Sequence, residues 1–157
     1  AAAHPQVVFW VDSRTRIDRF RRVIIKPNQF EAVGREFPLP GERVEIDEAT
    51  AALKGLQETT GAAVVVTLGE RGMLVSDPEP EHVAGVELSG ELDTTGAGDS
   101  ATAGCVLGLA SGATLAEAAL LGNLVASITV EQLAMTGTAS PDQLRDRLGV
   151  WLAQRSD

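Results

Sequence analysis

Residues 93–100 read Asp-Thr-Thr-Gly-Ala-Gly-Asp-Ser and lie between a weak strand pattern and a stretch of small, helix-forming residues. Gly96 and Gly98 allow the backbone to turn tightly and to approach a ligand. The amides of Gly96, Ala97 and Gly98 would then point out of a helix N-terminus, which predicts a phosphate site. Asp99, in the first turn, could accept a proton from a hydroxyl that attacks that phosphate.

Each part of this segment also has a simpler interpretation. An Asp at a helix start is usually a cap, and a Gly-Ala-Gly run is usually a turn. The combination of all eight residues with both acids favours the phosphate site. Residues 96–101 also fit the dinucleotide pattern G-x-G-x-x-G/A, but a second helix follows where a Rossmann unit needs a strand, so a dinucleotide-binding domain is a distant alternative.

Strand and helix patterns mix along the rest of the chain. Apolar or β-branched runs predict strands, and alanine-rich or amphipathic spacing between cap signals predicts helices. The helical stretches 96–110 and 115–133 carry so little charge that we expect burial on most of their sides. The predicted strands are 7–11, 23–25, 62–68, 73–76 and 81–88, and the predicted helices are 46–59, 96–110, 115–133 and 140–151. This mixture indicates a layered α/β domain.

Composition restricts the function classes. A chain of 157 residues without repeats or linkers is expected to form a single domain over residues 1–157. The net charge of −9 argues against binding to nucleic acid or to anionic membranes. The lone Cys105 and the absence of a leader pattern predict a cytoplasmic protein. The five arginines within 14–22 are expected to be a solvated face, with a phosphate-binding patch as the alternative.

Residues 93–99 resemble the carboxy-terminal signature of the PfkB (ribokinase-like) family of carbohydrate kinases. Three other segments are similar to family elements in the same order: 26–31 to the P-N-x-x-E element, 64–72 to the nucleotide-phosphate strand and turn, and 123–141 to the adenine-side loop. The resemblance implies a three-layer α/β/α ribokinase-like sheet, mostly parallel with a late hairpin. It also implies an incomplete fold, because this chain corresponds to the C-terminal nucleotide-binding and catalytic portion.

The resemblance implies an enzyme that transfers a phosphoryl group from ATP to a hydroxyl of a sugar or sugar phosphate. Asp99 would be the base, and the amides of Gly96, Ala97 and Gly98 would form the anion hole. Asn28 and Glu31 would organise Mg²⁺ and its waters around the phosphates. Their spacing also fits a helix N-cap and its N3 partner, and both interpretations can hold together.

The remaining site residues also follow from the resemblance. Thr67 and Gly69 would contact the nucleotide phosphates or ribose, while Asn123 and the loop 136–139, with Gly137 and Thr138, would border the adenine. Asp93 and Thr95 would contribute to a monovalent-cation site, with K⁺ as the candidate ion. The stretches 11–14 and 137–141 are most similar to the heptose-phosphate kinase branch of the family.

Members of that family are longer than this chain, and their amino-terminal half supplies most contacts to the sugar. We therefore expect the chain to need that half, or a second copy of itself, to cover the edge of its first strand. Two alternatives stay open. The chain could be a regulatory module that binds nucleotide without turnover, or an interaction domain that inherits the fold and binds no ATP.

Overall fold

A computed structural model describes residues 4, 6–14, 16–39, 41–135 and 137–156. The chain divides into two compact units. The first unit contains the residues up to Gly69 together with Met73–Val83, and the second contains Glu70–Gly72 and the residues from Ala84 onward. Each unit has its own buried residues, and each is described by itself below.

Among the described residues of the first unit, five short strands form a two-stranded and a three-stranded sheet, which isolated bridges connect. The strands are β1 (Trp10–Val11), β2 (Ile24–Ile25), β3 (Val65–Thr67), β4 (Met73–Val75) and β5 (Glu81–Val83). β1 and β2 are parallel, and parallel bridges at Ile25–Val64 and Asn28–Thr67 connect β2 to β3. β4 is antiparallel to both β3 and β5. Four of the five strands therefore run in one direction, as predicted, and β4 forms a late hairpin with β3 and a second one with β5.

The described residues of the first unit also form two α-helices, α1 (Gln29–Ala32) and α2 (Ile46–Thr60), and a short 3-10 helix (Ile17–Arg19). Gly61 ends α2 in the left-handed conformation, with φ of 65°, which a glycine adopts without strain. Leu53 of α2 packs with Ile25, Val64 and Leu74 in a core from which water is almost fully excluded. The core therefore fixes the sheet from which the residues after β1, β2 and β3 project.

In the described part of the second unit there are three α-helices, α3 (Ala97–Ala110), α4 (Leu115–Thr129) and α5 (Pro141–Ala153). α3 and α4 pack through small residues. A Cβ placed on Gly104 would lie 2.8 Å from the Cα of Gly122, and one on Gly108 would lie 3.0 Å from the Cα of Ala118. The two backbones therefore approach each other more closely than larger side chains would allow.

The C-terminal end of α5 holds the segment 84–87. Trp151 donates a hydrogen bond from Nε1 to the Ala84 carbonyl at 2.8 Å, and Arg155 donates to the Gly85 carbonyl at 2.6 Å. The side chain of Gln154 pairs with the backbone of Glu87 through two hydrogen bonds of 2.9 and 3.1 Å. Side chains at the end of α5 and of the two residues that follow it therefore satisfy backbone groups that a neighbouring strand would satisfy in a sheet.

Several predicted bounds need correction. The strand predicted over 7–11 is only Trp10–Val11, and the one predicted over 81–88 ends at Val83, where the side chains of α5 take over. The helix predicted to reach residue 133 ends at Thr129. The expectation that α3 is buried on most sides is wrong, because only the face that packs on α4 is buried and Leu107 is 58% exposed. Within the described ranges, none of the helices is long and apolar enough to cross a membrane.

Candidate active site

The predicted site residues fall into two groups, one in each unit. The second unit contains the start of α3, where Gly96 is the N-cap with φ of 75°. The amide of Ala97 donates to the Thr94 carbonyl at 3.1 Å, and the amide of Ser100 donates to the Gly96 carbonyl at 2.9 Å. Among the described residues, the amides of Gly96, Gly98 and Asp99 have no acceptor. Of the three amides predicted to bind a phosphate, those of Gly96 and Gly98 are therefore available, whereas that of Ala97 already donates to Thr94. The amide of Asp99 is a further available donor.

Asp99 itself lies in the first turn of α3 and is exposed to solvent. Gly98 beside it is also exposed. An anion near these amides would be stabilised by the positive end of the helix dipole. The turn thus presents hydrogen-bond donors and a candidate proton acceptor within four consecutive residues.

Asp93 connects this turn to the segment that follows α4. Its Oδ1 accepts from the amide of Thr95 at 3.0 Å, and its Oδ2 accepts from the amide of Ala134 at 3.2 Å. These hydrogen bonds, first of all that from the Thr95 amide, hold the pKa of Asp93 below its usual range. The backbone amide of Asp93 also donates to the Val130 carbonyl at 2.8 Å. Asp93 therefore fixes two loops relative to each other.

The predicted adenine-side loop follows α4 directly. A Cβ on Gly137 would lie 2.6 Å from the Cβ of Thr129, so the loop lies against the last residue of α4. Thr138 is bound through both backbone groups to the side chain of Gln132. Thr136 of the predicted loop lies outside the described residues. The sequence prediction did not include Gln132, because no spacing or cap signal marks it.

Asn123 lies on α4 and is only 7% exposed. Its Nδ2 donates to the Ala84 carbonyl at 3.3 Å, the same carbonyl that accepts the hydrogen bond of Trp151. The structure thus places this amide side chain in contact with the segment that leads toward Asp93. The predicted contact of Asn123 with adenine stays a prediction.

The second unit also has a cleft of about 540 Å³. Arg147 in its lining pairs with Glu131 and donates to the Ser127 carbonyl at 3.2 Å. The cleft is lined by Glu87, Leu88, Ser89, Ile128, Glu131, Gln132, Gln143, Asp146, Arg147 and Val150. None of the predicted site residues is in this lining, so the cleft does not define the candidate site.

The group in the first unit is built on α1. The Oδ1 of Asn28 accepts from the amides of Phe30 and Glu31, each at 2.9 Å, and the Oε2 of Glu31 accepts from the amide of Asn28 at 2.8 Å. The capping box that the sequence predicted is therefore formed. It locks both side chains while leaving the second carboxylate oxygen of Glu31 without a hydrogen bond among the described residues.

These residues share the edge of the sheet where the parallel strands β1, β2 and β3 end. Asp12 follows β1, Lys26 follows β2, and Thr67 is the last residue of β3, with its amide donating to the Pro27 carbonyl at 3.0 Å. Gly69 follows two residues after Thr67. The carboxyl ends of parallel strands are where open α/β sheets bind ligands. The structure therefore brings Asn28, Glu31, Thr67 and Gly69 to the edge where sheets of this kind bind ligands, and the predicted roles of these residues stay predictions.

An ion pair between a buried lysine and a partly exposed aspartate lies at the same edge. The Nζ of Lys26 is 2.7 Å from the Oδ2 of Asp12, and the Lys26 side chain is only 4% exposed. Burial raises the pKa of Glu31 above its usual value, and the negative charge of Asp12 raises it further, while the Asn28 hydrogen bond and Lys26 act in the opposite direction. Sequence reasoning assigned no role to Asp12 or Lys26, although a charged residue directly after each buried strand was a signal for one.

The residues present fit the two metal ions that the resemblance implies. Mg²⁺ keeps several waters and binds through one or two carboxylates together with phosphates, and Glu31 offers one free carboxylate oxygen on a rigid cap. Within the described part of the chain, no group of three His, Cys, Asp or Glu side chains could hold a metal alone. Asp93 stays ionised and lies between two loops whose carbonyls could complete a monovalent-cation site.

Comparison with known proteins identifies the family to which the chain belongs. Residues 19–142 match the description "pfkB family carbohydrate kinase", and the chain belongs to this family. It is 32% identical over 138 residues to the bifunctional protein HldE of Pasteurella multocida, covering 85% of this chain and 28% of that protein. It is 47% identical over 70 residues to the inositol 3-kinase of Arabidopsis thaliana, covering 45% of this chain and 20% of that protein.

The fold agrees with this family. The crystal structure of phosphofructokinase-2 from Escherichia coli in complex with substrates and products aligns with a TM-score of 0.72 and 27% identity, covering 90% of this chain and 47% of that chain. The predicted incomplete ribokinase-like α/β fold is therefore confirmed. The chain spans between a fifth and a half of the length of these three proteins.

Proposed function

We propose that this chain is the nucleotide-binding and catalytic portion of a kinase that transfers the γ-phosphoryl group of ATP to a hydroxyl of a sugar or sugar phosphate. The observation that carries the proposal is the start of α3, where an exposed Asp99 and three amides without an acceptor among the described residues occupy one turn. Membership of a carbohydrate kinase family supports it.

The chemistry assigned to this turn is a single displacement. The hydroxyl oxygen attacks the γ-phosphorus and forms the new O–P bond, while the bond from that phosphorus to the bridging oxygen breaks and ADP leaves. Asp99 takes the hydroxyl proton. The amides of Gly96, Gly98 and Asp99 donate to the oxygens on which charge accumulates in the transition state.

The ligand edge of the first unit is assigned to the phosphates of ATP. Asn28 and Glu31 would hold Mg²⁺ through its waters, and Thr67 and Gly69 would contact the phosphates or ribose. When bound, Mg²⁺ neutralises phosphate charge that would otherwise repel the attacking oxygen. Because backbone amides and a metal ion supply the positive charge, an acidic protein with a net charge of −9 can still bind ATP.

The loops around Asp93 are assigned to the adenine and to a monovalent cation. Asn123, Gly137 and Thr138 would border the adenine, and Asp93 with Thr95 would contribute to a K⁺ site. Asp93 already connects the α3 turn to the loop after α4, so a cation there would stabilise the shape of the anion hole.

The proposed acceptor is a sugar phosphate of the heptose-phosphate kinase branch. Residues 11–14 and 137–141 resemble that branch. The exposed arginines of 14–22 are candidates for the phosphate of such a substrate, with a plain solvated surface as the simpler role. If the chain binds ATP but transfers no phosphoryl group, that result would support the alternative of a module that binds ATP without turnover.

The test compares Asp99→Asn with Asp47→Asn, which removes a matched carboxylate from the first turn of α2. Asp99→Asn should lower turnover by about 10² to 10⁴ while the Kd for ATP changes little, because the base acts on the hydroxyl. Asp47→Asn should change neither quantity. An Asp99→Asn enzyme with near-normal turnover would contradict the assignment.

A further inference from the structure

The segment after α4 folds back on itself through the side chain of Gln132. The Nε2 of Gln132 donates to the Thr138 carbonyl at 2.7 Å, and its Oε1 accepts from the Thr138 amide at 3.0 Å. A glutamine side chain carries the same donor and acceptor groups as a peptide unit. Gln132 therefore pairs with Thr138 as a residue of a neighbouring strand would.

Gln132 is itself attached to the end of α4. Its backbone amide donates to the Thr129 carbonyl at 3.0 Å, and its Nε2 also reaches the Ile128 carbonyl at 3.3 Å. Its side chain is half-buried, whereas Thr138 is exposed. The hydrogen bonds of Gln132 thus run from the last turn of a rigid helix to a surface loop.

A second contact holds the same loop independently. Gly137 lies so close to Thr129 that a Cβ there would come within 2.6 Å of the threonine Cβ. Gly137 and Thr138 are consecutive, so one is held by close packing and the next by hydrogen bonds. Both attachments start at the end of α4, which makes the backbone of these two residues well defined relative to that helix.

We propose that Gln132 is a positioning residue for nucleotide binding, because its side-chain amide holds Gly137 and Thr138 in the conformation that receives the adenine. The inference rests on the proposed function. A loop that is already ordered loses less conformational entropy when ATP binds. Gln132 contacts no reacting atom, so its loss should raise the Kd and KM for ATP and leave kcat unchanged.

The test uses Gln132→Met, which keeps the length of the side chain but removes both hydrogen bonds. Gln154→Met is the matched control, because Gln154 forms the same pair of hydrogen bonds with the backbone of Glu87. MgATP is titrated into the 157-residue chain by calorimetry, and the melting temperature is measured without ligand. The expected result is about tenfold weaker ATP binding for Gln132→Met, from the loss of two hydrogen bonds.

Gln154→Met should bind ATP like the unmodified chain while sharing any fall in melting temperature. Gln132→Glu keeps the acceptor for the Thr138 amide but places a charge against two carbonyls, so it should also weaken ATP binding. If Gln132→Met bound ATP as tightly as the unmodified chain, or if Gln154→Met lost as much ATP affinity as Gln132→Met, the inference would be overturned. Either result would leave the proposed function standing. An unmodified chain that does not bind ATP would overturn the proposed function with it.

Discussion

Replacing Gly104 by alanine tests the contact between α3 and α4, the helices that carry Asp99 and Asn123. The added Cβ would lie 2.8 Å from the Cα of Gly122, 2.9 Å from the Leu121 carbonyl oxygen and 3.0 Å from the Gly122 amide. All three neighbours are backbone atoms, which cannot rotate away. Because carbon atoms in contact prefer about 3.5 to 4.0 Å, the two helices would have to separate by about 1 Å.

The expected effect combines two opposing contributions. Alanine favours a helix over glycine by about 1 kcal/mol, whereas forcing a methyl group into a packed interface costs about 1 to 3 kcal/mol. We expect a net destabilisation of up to about 2 kcal/mol. For a chain of this size that lowers the melting temperature by up to about 8 °C.

Gly55→Ala is the matched control, because Gly55 lies within α2 and a Cβ there would have no atom within 4 Å. That substitution should raise the melting temperature, since only the helix-propensity contribution applies. Thermal unfolding followed by circular dichroism compares the two variants. A Gly104→Ala chain as stable as the Gly55→Ala chain would refute the close approach of α3 and α4.

Two further predictions concern the candidate site. Asp12→Ala leaves the buried ammonium of Lys26 without its anion and should reduce the free energy of unfolding by about 2 kcal/mol, less than for a fully buried pair because Asp12 is 39% exposed. Urea unfolding measures this change. If Asp12→Ala reduces the free energy of unfolding equally in a chain that already carries Lys26→Met, the ion pair is not responsible. The lowered pKa of Asp93 means that its stabilising contribution is present above its unfolded pKa and disappears as the pH falls through its folded pKa. The difference in melting temperature between the unmodified chain and Asp93→Asn should therefore be largest near neutral pH and shrink below about pH 4, and a difference independent of pH would exclude this role.

Helix ends were the most predictable part of the fold. Gly61 ends α2, and Ser140 with Gln143 forms the capping box of α5, because these signals act through neighbouring backbone groups. Strand lengths were less predictable. An apolar run shows that a segment is buried, but a strand also needs a partner with free backbone groups, and residues 84–87 find side chains of α5 instead.

The candidate site was predictable where a motif carries it. The segment 93–99 and the pair Asn28 and Glu31 could be selected from the sequence, and the structure forms the predicted capping box. The amide of Ala97 is occupied because the Thr94 carbonyl lies within hydrogen-bonding distance, and no sequence pattern predicts the position of that carbonyl. Gln132 was missed because its role comes from a contact with Thr138 across a loop.

The most direct measurement of the central claim is phosphoryl transfer itself. The chain, alone and with the amino-terminal half of a family member added, is incubated with MgATP labelled at the γ-phosphate and a panel of sugars and sugar phosphates. We expect labelled product with at least one acceptor. Asp99→Asn should abolish the transfer, and Asp47→Asn should retain it. Transfer that survives in Asp99→Asn, or bound ATP with no transfer to any acceptor in either arrangement, would contradict it.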